Sequence, residues 1–228
     1  MISLDRVSKS YRTLDGRHVV LADVSAVFPD GRNIGIMGAN GSGKSTLIRL
    51  LAGSELPDRG RISRDCRVSF PLGFGGTFHG ELSGHENVAF LARIYGEDVR
   101  RVLRFVDEFS ELGEYFRMPV NTYSSGMRAK LAFGASLAMN FDVYLIDEVT
   151  VVGDAQFQER CRAAFESRIR HADVIMVSHS FTTIQGYCDA AAILEGGRLT
   201  MFDELDDAIE VYRMMMGITE PAVEDRAG

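Results

Sequence analysis

The strongest chemical signal in the chain is the stretch Gly38-Ala39-Asn40-Gly41-Ser42-Gly43-Lys44-Ser45-Thr46. Its glycine spacing, with lysine and serine directly after the last glycine, is the pattern of a phosphate-binding loop. Glycines let backbone N–H groups converge on a phosphate chain, and a helix starting there adds partial positive charge. Lys44 would bring a full charge to the outer phosphates, and the Ser45 hydroxyl would hold Mg²⁺. A metal-dependent phosphate site also needs carboxylates. Asp147 and Glu148 end an apolar run, Val143-Tyr-Leu-Ile, at the place where ligand-facing residues leave an α/β sheet. There Asp147 would bind Mg²⁺ directly or through water. Glu148 would act as general base or orient a water, the plainer alternative being a cap or structural ion pair.

Two further candidates are weaker by themselves. His179 follows the apolar run Val174–Val177, so it leaves the sheet at the same edge as Asp147 and is either a γ-phosphate contact or a structural histidine. The loop Ser124-Ser125-Gly126-Met127 opens a helical pattern and is either a second anion site or a plain capped helix. One triphosphate has no use for two such loops from one subunit, whereas a two-fold dimer would set each loop against the phosphates held by its partner.

The elements that must position these residues follow from periodicity. Ile34–Met37 is a short buried strand ahead of the loop, and Leu47, Ile48, Leu50 and Leu51 recur at helical spacing behind it. Ile2–Val7, His18–Leu21 and Val24–Phe28 read as an antiparallel sheet, with turns at Asp15-Gly16 and Pro29–Gly31. Helices are expected over 84–95, 97–109, 157–169 and 205–215, the block 121–139 opens with a polar loop and continues as a helix, and a hairpin at 190–202 turns on Gly196-Gly197. Strands alternating with helices predict a parallel α/β core. The stretch 77–138 lacks strand signal and is expected as a helical subdomain inserted into that core. One domain over 1–217 and a polar, frayed tail over 218–228 complete the expectation.

Composition excludes several classes. Hydrophobic content of 46% at 228 residues allows a sizeable core in an ordinary globular chain. A net charge of −7 offers no basic face for nucleic acid and no polybasic arm for a membrane surface. No apolar run has the length of a membrane span, and the polar N-terminus carries no secretory signal. Cys66, Cys161 and Cys188 are scattered without metal spacing and read as reduced, packed thiols. A soluble cytoplasmic chain is expected, and any membrane role must come through a partner.

In order, these pieces resemble the ATP-binding subunit of ABC transporters, from about Ile2 to Met215. The resemblance implies a P-loop ATPase core binding ATP and Mg²⁺, with Tyr11 stacking on adenine. It makes Ser124–Arg128 the signature loop, Glu148 the catalytic glutamate, Val152-Gly-Asp154 a loop bridging a homodimer, and His179 a switch histidine. Within the family the chain looks most like ATPases of capsular-polysaccharide export. The finer likeness rests on Gly73–Val88, the Tyr-Ser-Ser-Gly-Met form of the signature, Asp147–Ala155 and Ala208–Tyr212. That likeness implies an integral membrane permease as partner, a place at the cytoplasmic face of the inner membrane, and a lipid-linked glycan as cargo. O-antigen exporters are similar but often carry a further C-terminal carbohydrate-binding domain, which is not expected after Met216. Ser125 stands where most relatives have glycine, and Met127 where they have glutamine. No glutamine precedes Gln156, so the loop joining core to helical insertion lacks its usual residue. His79, or a carbonyl near Gly75 and Gly76, is expected to take over that coupling role.

Overall fold

The structure is a computed structural model and describes residues 1–14, 16–71, 78–147, 155–178 and 180–217. Its centre is a five-stranded sheet of order β5-β6-β3-β7-β8, made of Val143–Asp147, Asp173–Val177, Ile34–Met37, Ala190–Glu195 and Arg198–Phe202. The first four strands are parallel, and β8 closes the edge as the antiparallel arm of the hairpin on Gly196 and Gly197. Parallel strands must be covered on both faces, and the side chains divide accordingly. Ile34, Ile36, Val143, Leu145, Ile175 and Val177 point to one side. Tyr144, Ile146, Val174 and Met176 point to the other.

The first side is filled by helix α1 (Lys44–Ala52) and by a three-stranded antiparallel sheet of order β2-β1-β4. Here β1 is Ile2–Thr13, β2 is Gly16–Phe28 and β4 is Arg59–Arg64. Leu47, Ile48, Leu50 and Leu51 of α1 are wholly buried against Ile2, Leu4, Val7, Val20 and Leu21. The sequence pattern breaks β2 into two pieces and stops β1 at Val7, but both strands run on. Beyond Val7 the alternation fails because β1 and β2 pair through register shifts, with Asp23 at φ 55°, so side chains no longer alternate in step.

The second side carries helices α2 (Gly84–Ile94), α3 (Val99–Ser110), α4 (Ser125–Ala138), α6 (Phe181–Tyr187) and α7 (Leu205–Met216). Helix α5 (Ala155–Ile169) joins α3 and α4 through a small cluster of Phe109, Leu137, Phe157 and Cys161. The starts of these helices are written locally. Ser83 and Glu86 form a reciprocal capping box on α2, Asp98 caps α3, and Ser124 caps α4. Helix α6, absent from the periodicity reading, is seven residues long with Ile184 its buried residue, too short to show a face. It lies so close to β3 that a Cβ on Gly35 would come within 2.6 Å of Ile184 Cγ2.

Burial pushes the Cys161 and Cys188 thiols up to about 12, as packed, unreactive cysteines. Among the described residues no helix is long and apolar enough to cross a membrane.

One carboxylate ties the helices to the sheet. Glu97, its side chain 8% exposed, accepts from Arg67 at 2.9 Å, from Arg101 at 2.6 Å and from the Asn140 N–H at 3.2 Å. Arg67 in turn donates to the Tyr95 carbonyl, and its own carbonyl accepts from Asp142 and Val143 at the start of β5. Burial raises the Glu97 carboxyl, but the bonds from Asn140, Arg67 and Arg101 outweigh it and hold the group below its usual range. A depressed folded value means stability present above the unfolded value and lost as pH falls through the folded one. Glu97→Gln is therefore expected to cost about 2 kcal/mol in urea unfolding at pH 7. The gap between wild type and variant should close as pH drops below about 4.3, the ordinary glutamate value.

Candidate functional site

The loop from Gly38 to Gly43 leaves the central strand β3 and runs straight into α1. Its backbone admits glycine and little else at two positions. At Gly38, φ is 155° and a Cβ would meet the Leu194 carbonyl at 2.5 Å; at Gly43, φ is 102° and a Cβ would strike Val20 Cγ1 at 2.2 Å. Gly43 is also the N-cap of α1, so no side chain covers the start of the helix, and no acidic residue sits in its first turn. A helix end of that kind is a receptor for an anion.

Lys44 is buried, and its ammonium bridges the Gly38 and Ala39 carbonyls at 2.8 and 3.0 Å. The lysine thus holds the loop as a ring while its charge stays within it. Ser42 N–H closes the turn onto the Ala39 carbonyl at 3.1 Å, and Ser42 Oγ is buried with no hydrogen-bond partner among the described residues. A buried orphan hydroxyl inside a loop of converging donors suits a polyoxyanion that would supply the missing partner.

Across the loop, Asp147 ends β5 in register with Val177 of β6, and Ile36 of β3 pairs with the same Val177. That register carries Asp147 to the edge where the loop begins. Ser45 Oγ donates to Asp147 Oδ1 at 3.1 Å, so two hard oxygen donors from separate elements converge. Their chemistry fits a small divalent cation such as Mg²⁺. A cavity of about 360 Å³ lies over these groups, lined by Asn40, Gly41, Gly43, Lys44, Ser45, Thr46 and Asp147 together with Tyr11, His18, Val20 and Val177.

Tyr11, 27 residues ahead of Gly38 in the chain, is brought to the cavity by the β1–β2 ribbon, and its cross-strand partner is His18. Neither His18 nor Val20 is singled out by sequence reasoning. The signal that would find them is the pairing opposite Tyr11, and the register shifts in β1 hide it. The Ser124–Met127 loop does not line the cavity. Ser124 and Ser125 are exposed at the start of α4, where Ser124 Oγ accepts from the Met127 N–H at 3.2 Å, and the Met127 side chain packs against the helical core. His79 is exposed, with its backbone clamped by the buried Asn87 through bonds of 2.8 and 3.0 Å. Glu148, His179, Val152–Asp154, Gly75 and Gly76 lie outside the described residues.

A glycine-ringed loop that closes the central parallel strand, facing a strand-end aspartate, defines the P-loop NTPase class. Comparison with known sequences narrows this. The chain belongs to the ABC transporter family, as an ABC-type ATPase; the family's sequence profile matches residues 21–151. It is 43% identical over 217 residues to the polysialic acid transport ATP-binding protein KpsT of Escherichia coli, covering 94% of this chain and 97% of that one. It is 47% identical over 215 residues to the capsule polysaccharide export ATP-binding protein CtrD of Neisseria meningitidis, covering 94% of this chain and all of that one. Among solved structures, the ATP-binding cassette MJ0796, in a dimeric post-hydrolysis state with ADP and Pi, superposes with a TM-score of 0.72 at 21% identity. That match covers 90% of this chain and 99% of the other, and it establishes the shared fold.

The contact at Gly43 yields a direct test of the loop. Gly43→Ala is expected to lower unfolding stability by about 1–3 kcal/mol through strain and overpacking. Adding Val20→Ala should restore the steric part and leave the positive-φ part, so the double variant should fall between the single variant and wild type in urea titrations.

Proposed function

We propose that the chain is the ATP-hydrolysing subunit of an exporter that moves capsular polysaccharide, as a lipid-linked glycan, across the inner membrane. The observation that carries this is identity of 43–47% along nearly the whole chain to proteins named for capsule and polysialic acid export. The cavity over Lys44, Ser45 and Asp147 supports the nucleotide half of the reading.

In this reading the loop from Gly38 to Thr46 wraps the phosphates and Lys44 turns its charge to the outer ones. Ser45 and Asp147 would hold Mg²⁺, which when bound neutralises charge on the phosphate oxygens. Tyr11 offers its ring to adenine. Glu148 orients the attacking water and takes its proton, and His179 meets the γ-phosphate. Catalysis of this type is mostly positioning and charge neutralisation.

A second copy completes the site. Ser124 to Met127 do not line the cavity of their own chain, and the exposure of Ser124 and Ser125 at a helix N-terminus supports a role across a two-fold axis. Closing of that dimer around two nucleotides would drive an integral membrane permease, and opening after hydrolysis would reset it. Recruitment by the permease would hold the chain at the cytoplasmic face of the inner membrane. Helices within 77–138 would form the subdomain that meets this partner.

Glu148→Gln is expected to lower ATP turnover by about 10²–10⁴-fold, the usual contribution of a general base. It should also convert the chain to an ATP-dependent dimer in gel filtration; turnover at the wild-type rate with no dimer would remove Glu148 from this role. In cells, replacing the gene with a Lys44→Ala copy should abolish surface polysaccharide and leave the glycan inside. Normal surface polysaccharide would overturn the export reading.

A further inference from the structure

We propose that Glu55 is a positioning residue for the nucleotide base, acting through the hydroxyl of Tyr11; this rests on the reading of Tyr11 as the base platform. Glu55 lies in the turn after α1, outside the phosphate-loop pattern and away from the cavity lining. The Tyr11 hydroxyl donates to Glu55 Oε1 at 2.5 Å. The same carboxylate accepts from Lys9 at 2.9 Å and, through Oε2, from Arg49 Nε at 3.0 Å. Arg49 also donates to Thr46 Oγ1 at 3.0 Å and reaches the Tyr11 hydroxyl at 3.4 Å.

Thr46 and Arg49 stand on α1 one or two residues to a turn beyond Lys44 and Ser45, so the network references the Tyr11 ring to the helix that receives the phosphates. A tyrosine on a surface ribbon is otherwise free to change rotamer, and each nucleotide would have to order it on binding. Here the ring is held at its far end by a carboxylate, while the Lys9 ammonium stands 5.4 Å from its centroid. Lys9 is itself fixed by the Leu56 carbonyl at 2.8 Å. Glu55 is 19% exposed and Lys9 12%, so solvent screening of the cluster is limited. Burial raises the Glu55 carboxyl, yet bonds from Tyr11, Lys9 and Arg49 outweigh it and keep the group below its usual range. It is therefore an anionic acceptor throughout the neutral region. Charged acceptors make the stronger hydrogen bonds.

The experiment compares ATP with tripolyphosphate, which carries the phosphate chain and no base. Glu55→Ala in the full chain should raise the KM for ATP by about fivefold to tenfold, the net effect of one ordinary hydrogen bond, since Glu55 acts on the base only through Tyr11. Turnover should move less than twofold, and the inhibition constant of tripolyphosphate should stay put. Tyr11→Phe, which removes only the donor, should weaken ATP by the same factor, and the double variant should be no weaker than either. Glu55→Gln, which keeps an acceptor oxygen, should recover most of the affinity. Should Glu55→Ala fail to fold, Tyr11→Phe and Glu55→Gln carry the test alone. A wild-type KM in Glu55→Ala and Tyr11→Phe, or equal weakening of ATP and tripolyphosphate, would overturn the proposal. Tyr11→Ala separates the two readings. An unchanged KM there sinks the base platform itself, whereas a raised KM there beside an unchanged one in Glu55→Ala sinks only the positioning role.

Discussion

A helix that must present its bare N-terminus to a phosphate chain constrains everything around it. No side chain can cap α1, so Gly43 sits at its start at φ 102°, and Val20 fills the space where a Cβ would be. The strand feeding the loop has to be central and rigid, and β3 is: it pairs with β6 on one side and β7 on the other. The uncapped end leaves its N–H groups for an anion, and Lys44 closes the loop on the Gly38 and Ala39 carbonyls. Positive charge and backbone donors are thus assembled before any ligand arrives, the condition under which electrostatic stabilisation needs no reorganisation.

The two faces of the sheet divide the labour. On the α1 face, the antiparallel ribbon brings Tyr11 and His18 over the loop and buries the wholly apolar side of α1. On the other, α2, α3 and α4 form a layer fastened to β5 by the Arg67–Glu97–Arg101 network. That layer carries Ser124 and Ser125 exposed at the end of α4. The nucleotide loop and the second candidate anion site therefore belong to elements on opposite sides of one sheet.

Much of the chemistry is legible before folding because it is local. A phosphate loop is a run of glycines with a lysine at fixed spacing, and an N-cap is a serine, threonine or aspartate one residue ahead of a helix. The strands β3, β5 and β6 are short apolar runs because both of their faces are covered, so their presence shows in composition alone. The ribbon of β1 and β2 is harder to read. Its second half is polar and exposed along much of its length, and it is held by pairing and bulges rather than by an apolar face. Helix α6 is invisible for a different reason: in seven residues a helix has one buried contact and no period.

What the sequence by itself determined is the phosphate loop, the parallel core, and the family whose ordered motifs the chain carries. What only the tertiary structure decided is which distant residues share the cavity. Ser45 meets Asp147 from 102 residues away because β5 and β3 both pair with β6 in one register. Tyr11 meets Thr46, Arg49 and Glu55 because β1 lies across α1, and the carboxylate between Lys9 and Arg49 turns that encounter into a fixed ring. Local physics sets spacing and caps. Pairing register, which depends on the burial of whole faces, sets who stands opposite whom.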